Sequence, residues 1–305
     1  LNVVAICDRH RERAAARRDA FFPSARIATD PAELIGDPGI RVLDITLHPG
    51  GRVPLMRRAL QAGQSVLSQK PFVDDLAVGR ELVEIAARHH VQLAVNQNGR
   101  WAPHLAYMRE AVTAGLVGEV TGVHVAIHWN HTWIAGTPFA TMRHVILQDF
   151  AIHWFDFLAS IIHDNATVAF ATTGRAHGQP VEAPLLAEAI VRFPGGQASL
   201  AFDGNALYGA SDTTTIVGTK GTLSSAGPDL GQQVVRLHTA EGVAQPELTG
   251  TWFNDGFAGT MGALLVALET GEEPINSARG NLESLRLSHA AIRSADSGQP
   301  VTIAR

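Results

Sequence analysis

Over the first hundred residues, short unbroken apolar runs alternate with stretches rich in helix formers, and few architectures accept that alternation. Residues 2–7 are largely apolar and partly β-branched, and residues 9–21 carry Ala, Arg and Glu, so a strand followed by a helix is expected. The same alternation predicts strand 42–47, helix 52–62, strand 65–67, helix 76–89 and strand 92–95. Strands apolar on both faces and separated by helices belong to a parallel sheet covered on both sides. Gly36 and Gly63 stand where helices should stop.

After Arg100-Trp101 the pattern changes. A helix over 103–114 leads to a strand over 120–129, in which Val123, Val125, Ile127 and Trp129 alternate with Gly122, His124, Ala126 and His128. Period two means a sheet covered on one face. Further strands are expected over 166–173, 185–193, 197–205, 213–217 and 234–238, with late helices over 257–270 and 281–297. At 305 residues the chain suits two domains. The expected fold class is α/β plus α+β: a doubly wound parallel sheet in 1–98 and, in 99–305, an α+β domain on an open, largely antiparallel sheet. The uncovered face of that sheet is expected to be broadly apolar and to pair copies into a homodimer or homotetramer. A net charge of -5 without a basic run argues against nucleic acid as a partner. No stretch is long and apolar enough for a membrane span. The single Cys7 excludes an internal disulfide and fits a reducing, cytoplasmic setting.

Asp8 ends the first apolar run and Arg9 follows it. An acid at the end of the second strand of a dinucleotide-binding sheet bonds the adenosine ribose; the plainer reading is a helix cap. The glycine-rich phosphate loop that belongs upstream of such an acid does not occur in these residues. The first strand and its loop are therefore expected to be absent from the chain as given. That strand holds the middle of a doubly wound sheet, so both its neighbours should be exposed. This polypeptide is expected to bind dinucleotide weakly, and a calorimetric titration giving ordinary tight NAD binding would contradict it. Arg9 meets a 2′-phosphate or faces solvent, which leaves NAD and NADP both open.

Lys70-Pro71 follows strand 65–67 at the carboxyl edge of the sheet, where open α/β sheets bind ligands. The proline keeps the lysine's backbone extended. Residues 149–162 leave hardly any solvent-compatible face, and a helix apolar nearly all round is buried. Within it Asp149, His153, Asp156 and Ser160 follow at spacings of four, three and four, which makes one narrow stripe. Buried polar groups need partners or a ligand, so the stripe faces a cleft or holds an Asp-His bond that serves packing alone. His128, His131, His144, His153 and Asp149 have metal-ligand chemistry but no metal-binding spacing, and 14 histidines make chance clustering easy. No metal is expected. Trp129, His131 and Trp133 form either a carbohydrate-binding wall or an anchor for their loop.

Taken together, Val3-Val4-Ala5-Ile6-Cys7-Asp8, the run 59–71 ending in Gln69-Lys70-Pro71, Asn98-Gly99-Arg100-Trp101, Asp149-x-x-x-His153 and Gly218-Thr219-Lys220-Gly221-Thr222-Leu223 resemble one family over essentially the whole chain. It is the glucose–fructose oxidoreductase, inositol dehydrogenase and rhizopine-catabolism family (Gfo/Idh/MocA). The resemblance implies a Rossmann-type N-terminal domain, a C-terminal domain for substrate binding and oligomerisation, and an NAD(P)-dependent oxidoreductase acting on a sugar, polyol or inositol. It implies that Lys70 and His153 meet over the nicotinamide as catalytic groups, with Asp149 beside them. Asp8, Arg9, Thr46, His48, Gln69, Lys70 and Asn98 would line the cofactor, NAD or NADP. Lys70, Asn98, Arg100, His128, Asp149 and His153 would surround the substrate. Gln69 stands where the family usually has glutamate, which removes a negative charge beside the lysine. On this reading His153 takes the hydroxyl proton, Lys70 polarises the oxygen, and Asp156 supports from behind. Two other readings share the fold: a glycosidase that oxidises its sugar transiently with a recycled cofactor, and a sugar- or dinucleotide-sensing regulator without catalysis. Free NADH would not accumulate in the first, and the retained Lys70 and His153 count against the second.

Overall fold

A computed structural model describes residues 1–303. The chain forms two compact units: Leu1–Asn96 with Met261–Arg279, and Gln97–Thr260 with the residues from Gly280 onward. The first unit therefore includes a late segment that a single division at residue 98 assigns to the second.

In the first unit β1 (Ala5–Cys7) pairs in parallel with β2 (Arg26–Ala28). A separate parallel sheet has β3 (Val42–Ile45), β4 (Ser65–Gln69) and β5 (Leu93–Asn96) in that order. Helices α1 (Arg11–Phe21), α2 (Pro49–Gln61) and α3 (Leu76–Arg88) alternate with the strands. β4 is the middle strand, and Ser65, Val66, Leu67 and Ser68 are all buried, as a strand covered on both faces requires. Asp75 caps α3 by accepting from the Ala77 and Val78 N–H groups, and Leu82, Ile85 and Ala86 bury one helical face. β1 and β3 are not paired, and a cavity of about 530 Å³ lined by Cys7, Asp8, Leu43, Ile45 and Thr46, among others, lies between them.

Among the described residues the second unit is built on nine strands: β6 (Val120–His128), β7 (Val168–Gly174), β8 (Leu186–Phe193), β9 (Gly196–Asp203), β10 (Ser211–Gly218), β11 (Gly221–Asp229), β12 (Gln232–Thr239), β13 (Gly242–Ala244) and β14 (Val301–Thr302). Their order is β13-β12-β11-β10-β6-β9-β8-β7-β14. The β6–β9 pair is parallel and the others are antiparallel. Val123, Val125 and Ile127 are buried while His124 and His128 are exposed, so the period-two reading of this strand holds. The buried face packs with residues of α4 (Pro103–Thr113), α5 (Ile152–Ile162) and α7 (Ala278–Ser297) in one apolar core. The uncovered face is not the broadly apolar surface expected. Ile190 and Val234 are exposed, but Thr121, His124, Glu188 and Arg192 stand exposed too, because polar residues hold most outward positions of the alternation.

α6 (Trp252–Thr270) carries glycines where it meets the turn Asn98–Trp101. A Cβ at Gly256 would lie 2.6 Å from the Asn98 carbonyl oxygen, and one at Gly259 would lie 2.4 Å from the Trp101 ring. Gly262, in the same helix, has nothing within 4 Å of that position. Gly259→Ala is therefore expected to destabilise the protein by ~1–3 kcal/mol through overpacking. Gly262→Ala should stabilise it by ~0.5–1 kcal/mol, the ordinary helix preference for alanine. Urea denaturation of the two variants measures both.

Candidate active site

In the first unit the expected residues follow the carboxyl ends of parallel strands: Asp8 after β1, Thr46 and His48 after β3, and Gln69-Lys70 at the end of β4. Asp8 Oδ1 accepts the His10 N–H at 2.8 Å, so it also holds the turn into α1. Arg9 is exposed, with its Nε 3.2 Å from His10 Nε2. Thr46 and His48 are exposed on the loop into α2. The Gln69 amide oxygen accepts the backbone N–H of Lys70 at 2.8 Å, and the Lys70–Pro71 bond is cis. Lys70 itself is half-buried. Asp8, Arg9 and Thr46 share the lining of the cavity between β1 and β3. Their carboxylate, guanidinium and hydroxyl stand at the carboxyl edge of the strands, where sheets of this kind hold the ribose and phosphate groups of a dinucleotide.

Sequence reasoning passed over Arg52. It lies on α2 only 1% exposed, donating to the Leu47 carbonyl and, through Nε and Nη2, to the Phe72 carbonyl at 3.3 Å. Its guanidinium thus ties the loop that carries Thr46 and His48 to the loop that carries Lys70. An arginine in a helical run ordinarily faces solvent, so no local signal marks this one.

In the second unit the stretch 149–162 is not one uniform helix. Ile146–Phe150 is a π turn, closed by the Ala151 N–H on the Ile146 carbonyl at 2.7 Å, and α5 starts at Ile152. The even stripe expected from spacing is broken, because a widened turn changes the angle at which Asp149 stands to the residues after it. Asp149 and His153 are half-buried. Asp156 is 2% exposed and bound by Arg100, Nε to Oδ2 at 2.7 Å and Nη2 to Oδ1 at 2.8 Å. Ser284 Oγ donates to Asp156 Oδ1 at 2.7 Å, and Asn281 Nδ2 reaches it at 3.3 Å. Burial pushes the Asp156 carboxyl up, but the charge and hydrogen bonds of Arg100, with help from Ser284, outweigh it and hold the group below the ordinary carboxylate range. Arg100, expected beside the substrate, is thus engaged by a carboxylate of its own chain. The Ser160 hydroxyl donates to the Phe157 carbonyl at 2.6 Å, a local helix bond.

The His153 ring stands edge-on to Trp252, with centroids 5.6 Å apart. Gly99 lies against both: a Cβ there would be 2.9 Å from Trp252 Cζ2 and 3.4 Å from His153 Nδ1, so a side chain would displace the imidazole or the indole. Asn98 is buried beside it. His128 ends β6 with Nδ1 3.4 Å from Ser211 Oγ. Trp129 stacks on Phe150 at 3.9 Å and donates its indole N–H to His131 Nδ1 at 2.9 Å, which fixes the ring within its loop. Among the described residues no group of three or more His, Cys, Asp or Glu side chains is arranged to hold a metal ion, and no helix is long and apolar enough to cross a membrane.

Residues 1–97 match the model of an oxidoreductase family with an NAD-binding Rossmann fold, and residues 105–224 match the C-terminal domain of the GFO/IDH/MocA proteins. The chain is 26% identical to D-apiose dehydrogenase of Paraburkholderia graminis over 99% of its length and 83% of the relative's. It is 24% identical to inositol 2-dehydrogenase of Rhizobium meliloti, over 82% and 77% of the two chains. An Agrobacterium radiobacter oxidoreductase solved with NAD+, L-tartaric acid and magnesium superposes with a TM-score of 0.88 at 21% identity, over 98% of this chain and 90% of that one. An oxidoreductase domain protein of Kribbella flavida gives 0.87 at 20% identity, over 100% and 91%.

Removing one partner of the buried pair leaves the other uncompensated, so Arg100→Leu is expected to cost ~3–5 kcal/mol of stability. Replacing both Arg100 and Asp156 by leucine should recover most of that loss. Because the Asp156 carboxyl is held down in the folded chain, the stability it contributes is complete above the ordinary aspartate value of about 4 and lost as pH falls through the lower folded value. Urea denaturation repeated down the acid range should show this loss in the parent chain and not in the doubly substituted one.

Proposed function

Since the chain belongs to the Gfo/Idh/MocA oxidoreductase family, we propose that it oxidises a hydroxyl-bearing carbon of a sugar, polyol or inositol, with Lys70, His153 and Asp149 as the catalytic groups. It is an oxidoreductase with an NAD-binding Rossmann domain, and its cofactor is NAD or NADP. The observation that carries the reading is the placement of Asp8, Thr46, His48 and Lys70 after the carboxyl ends of β1, β3 and β4, where open parallel sheets hold their ligands. The D-apiose and inositol dehydrogenases among its relatives support a polyhydroxylated substrate.

Bound nicotinamide supplies a hydride acceptor. Asp8 holds ribose hydroxyls, and Arg9, Thr46, His48, Gln69 and Asn98 complete the cofactor's surroundings. His153 takes the substrate hydroxyl proton, Lys70 donates to the same oxygen and draws charge onto it, and Asp149 fixes the imidazole tautomer or a neighbouring hydroxyl. Asn98 and His128 contact the substrate. Gln69 keeps its amide oxygen on the Lys70 N–H, so the missing family charge is exchanged for a backbone anchor. The same reading includes a cytoplasmic setting and a homodimer or homotetramer.

A panel of sugars and inositols with each cofactor, followed by the absorbance of reduced nicotinamide, tests the activity. His153→Asn should lower the chemical step by roughly 10²–10⁴-fold with dinucleotide affinity nearly intact. Unchanged turnover would remove His153 from the mechanism, and product hydrolysis without free NADH would replace the dehydrogenase reading.

A further inference from the structure

The second unit holds a pocket of about 530 Å³ where β6 ends and β10 begins, a volume suited to a small organic ligand. Its walls are aromatic: Trp129 and Phe150, stacked at 3.9 Å, together with Trp252 and Phe253. Trp252 also stands edge-on to His153, so one indole of the pocket wall contacts the imidazole assigned as base. The polar group that stands out on the lining is Asp212.

Asp212 opens the alternation of β10, in which Asp212, Thr214 and Ile216 are buried and the residues between them half-buried. It is 1% exposed, and neither carboxylate oxygen has a hydrogen-bond partner among the described residues. Its neighbours do not relieve it. Asp229 is another acid, with Oδ1 engaged by the N–H groups of Gly231 and Gln232. The His128 imidazole faces Ser211 Oγ, and the Gln233 amide reaches the Asp212 main-chain carbonyl, at 3.5 Å, rather than the carboxyl.

A buried carboxyl without a partner is strongly unfavourable, so its retention beside an open aromatic pocket calls for a ligand that supplies the missing bonds. Aromatic faces pack against the C–H face of a ring, and a carboxyl bonds hydroxyls on its edge. We propose that Asp212 is a specificity-determining residue that bonds a hydroxyl of a polyhydroxylated ring seated among Trp129, Phe150 and Trp252. The assignment rests on the sugar, polyol or inositol reading above and adds the residue that selects the substrate. Burial, and then the charge of Asp229, push the Asp212 carboxyl up to about 7, so both protonation states occur near neutrality. A hydroxyl donates and accepts and satisfies either state, whereas an organic cation satisfies one.

Because indoles line the pocket, tryptophan fluorescence of the full chain reports its occupancy. Titration with myo-inositol, D-glucose and tetramethylammonium, each with and without saturating NAD, should give saturable binding of at least one polyol and none of the cation. Asp212→Leu should weaken that binding by about tenfold or more, and Asp212→Asn, which keeps an acceptor, by less. Thermal unfolding of the free chain is the second readout: Asp212→Leu should raise Tm, because an unpartnered buried charge is removed. A lowered Tm, saturation by tetramethylammonium alone, no saturation by any polyol, or polyol affinity unchanged in Asp212→Leu would each overturn the assignment. NADH production with an unchanged KM in Asp212→Leu sinks the role of Asp212 and leaves the dehydrogenase reading standing. Polyol binding that depends on Asp212 without any NADH production does the reverse.

Discussion

The bidentate bond between Arg100 and Asp156 sets the geometry of the second unit's site. Arg100 lies in the turn Asn98–Trp101 and Asp156 lies on α5, one turn beyond His153, so this pair holds the segment that carries Asn98 against the helix that carries the imidazole. Ser284 and Asn281 bring α7 onto the same carboxylate. Two apolar side chains of similar size would hold these elements with comparable stability. What they would not supply is a planar fork that fixes both the distance and the angle of approach. That precision has a use here, since Gly99 leaves a Cβ no room beside His153 and Trp252, and a small shift of the turn would reach the imidazole. Glycines on α6 complete the arrangement by letting that helix lie directly on the turn's backbone and on Trp101.

The first unit solves a similar problem with main-chain acceptors. Parallel strands deliver Asp8, Thr46, His48 and Lys70 to their carboxyl ends, but loops after strands wander unless something holds them. Arg52 does this from α2 by donating to the carbonyls of Leu47 and Phe72. Gln69 contributes from the strand side by accepting the Lys70 N–H. Each tie uses a buried or half-buried polar side chain whose hydrogen bonds are made within the protein, which is the condition for burying it at low cost.

How far this was legible in advance follows from the range of the signal. β4 and α3 were plain, because a short apolar centre set between two helical stretches and a 3.6-residue stripe are local properties that the environment only ratifies. β6 was plain for the same reason, with period two. β2 escaped because three residues, Arg26-Ile27-Ala28, are too few to show a period. β11 escaped because Gly221, Ser224, Ser225, Gly227 and Pro228 read as turn residues, and only the neighbouring strands β10 and β12 make a strand of them. The π turn at Ile146–Phe150 is an insertion-like change that leaves composition untouched, so the spacing of Asp149, His153, Asp156 and Ser160 looked like one stripe and is not. The candidate residues were found by their place after strands or on a conspicuously apolar helix. Arg52, and the partner that engages Arg100, were invisible because both depend on segments far away in sequence.

Asp156 and Asp212 show what separates a structural acid from one that waits for a ligand. Both are aspartates of the same unit, 2% and 1% exposed, so burial penalises their charge alike. Yet one carboxyl is held below its ordinary range and the other is pushed up to about 7. The difference is entirely one of company. Asp156 has a guanidinium, a hydroxyl and an amide on its oxygens. Asp212 has an acid for a neighbour, no donor on either oxygen among the described residues, and a place in the lining of an aromatic pocket. A fold gains nothing from the second arrangement, because an apolar residue at that position of β10 would pack with Ile127 and leave no charge to neutralise. Its presence is therefore accounted for by something outside the chain that brings hydrogen-bond donors to it, and the aromatic walls limit that visitor to a molecule with an apolar face and a polar edge.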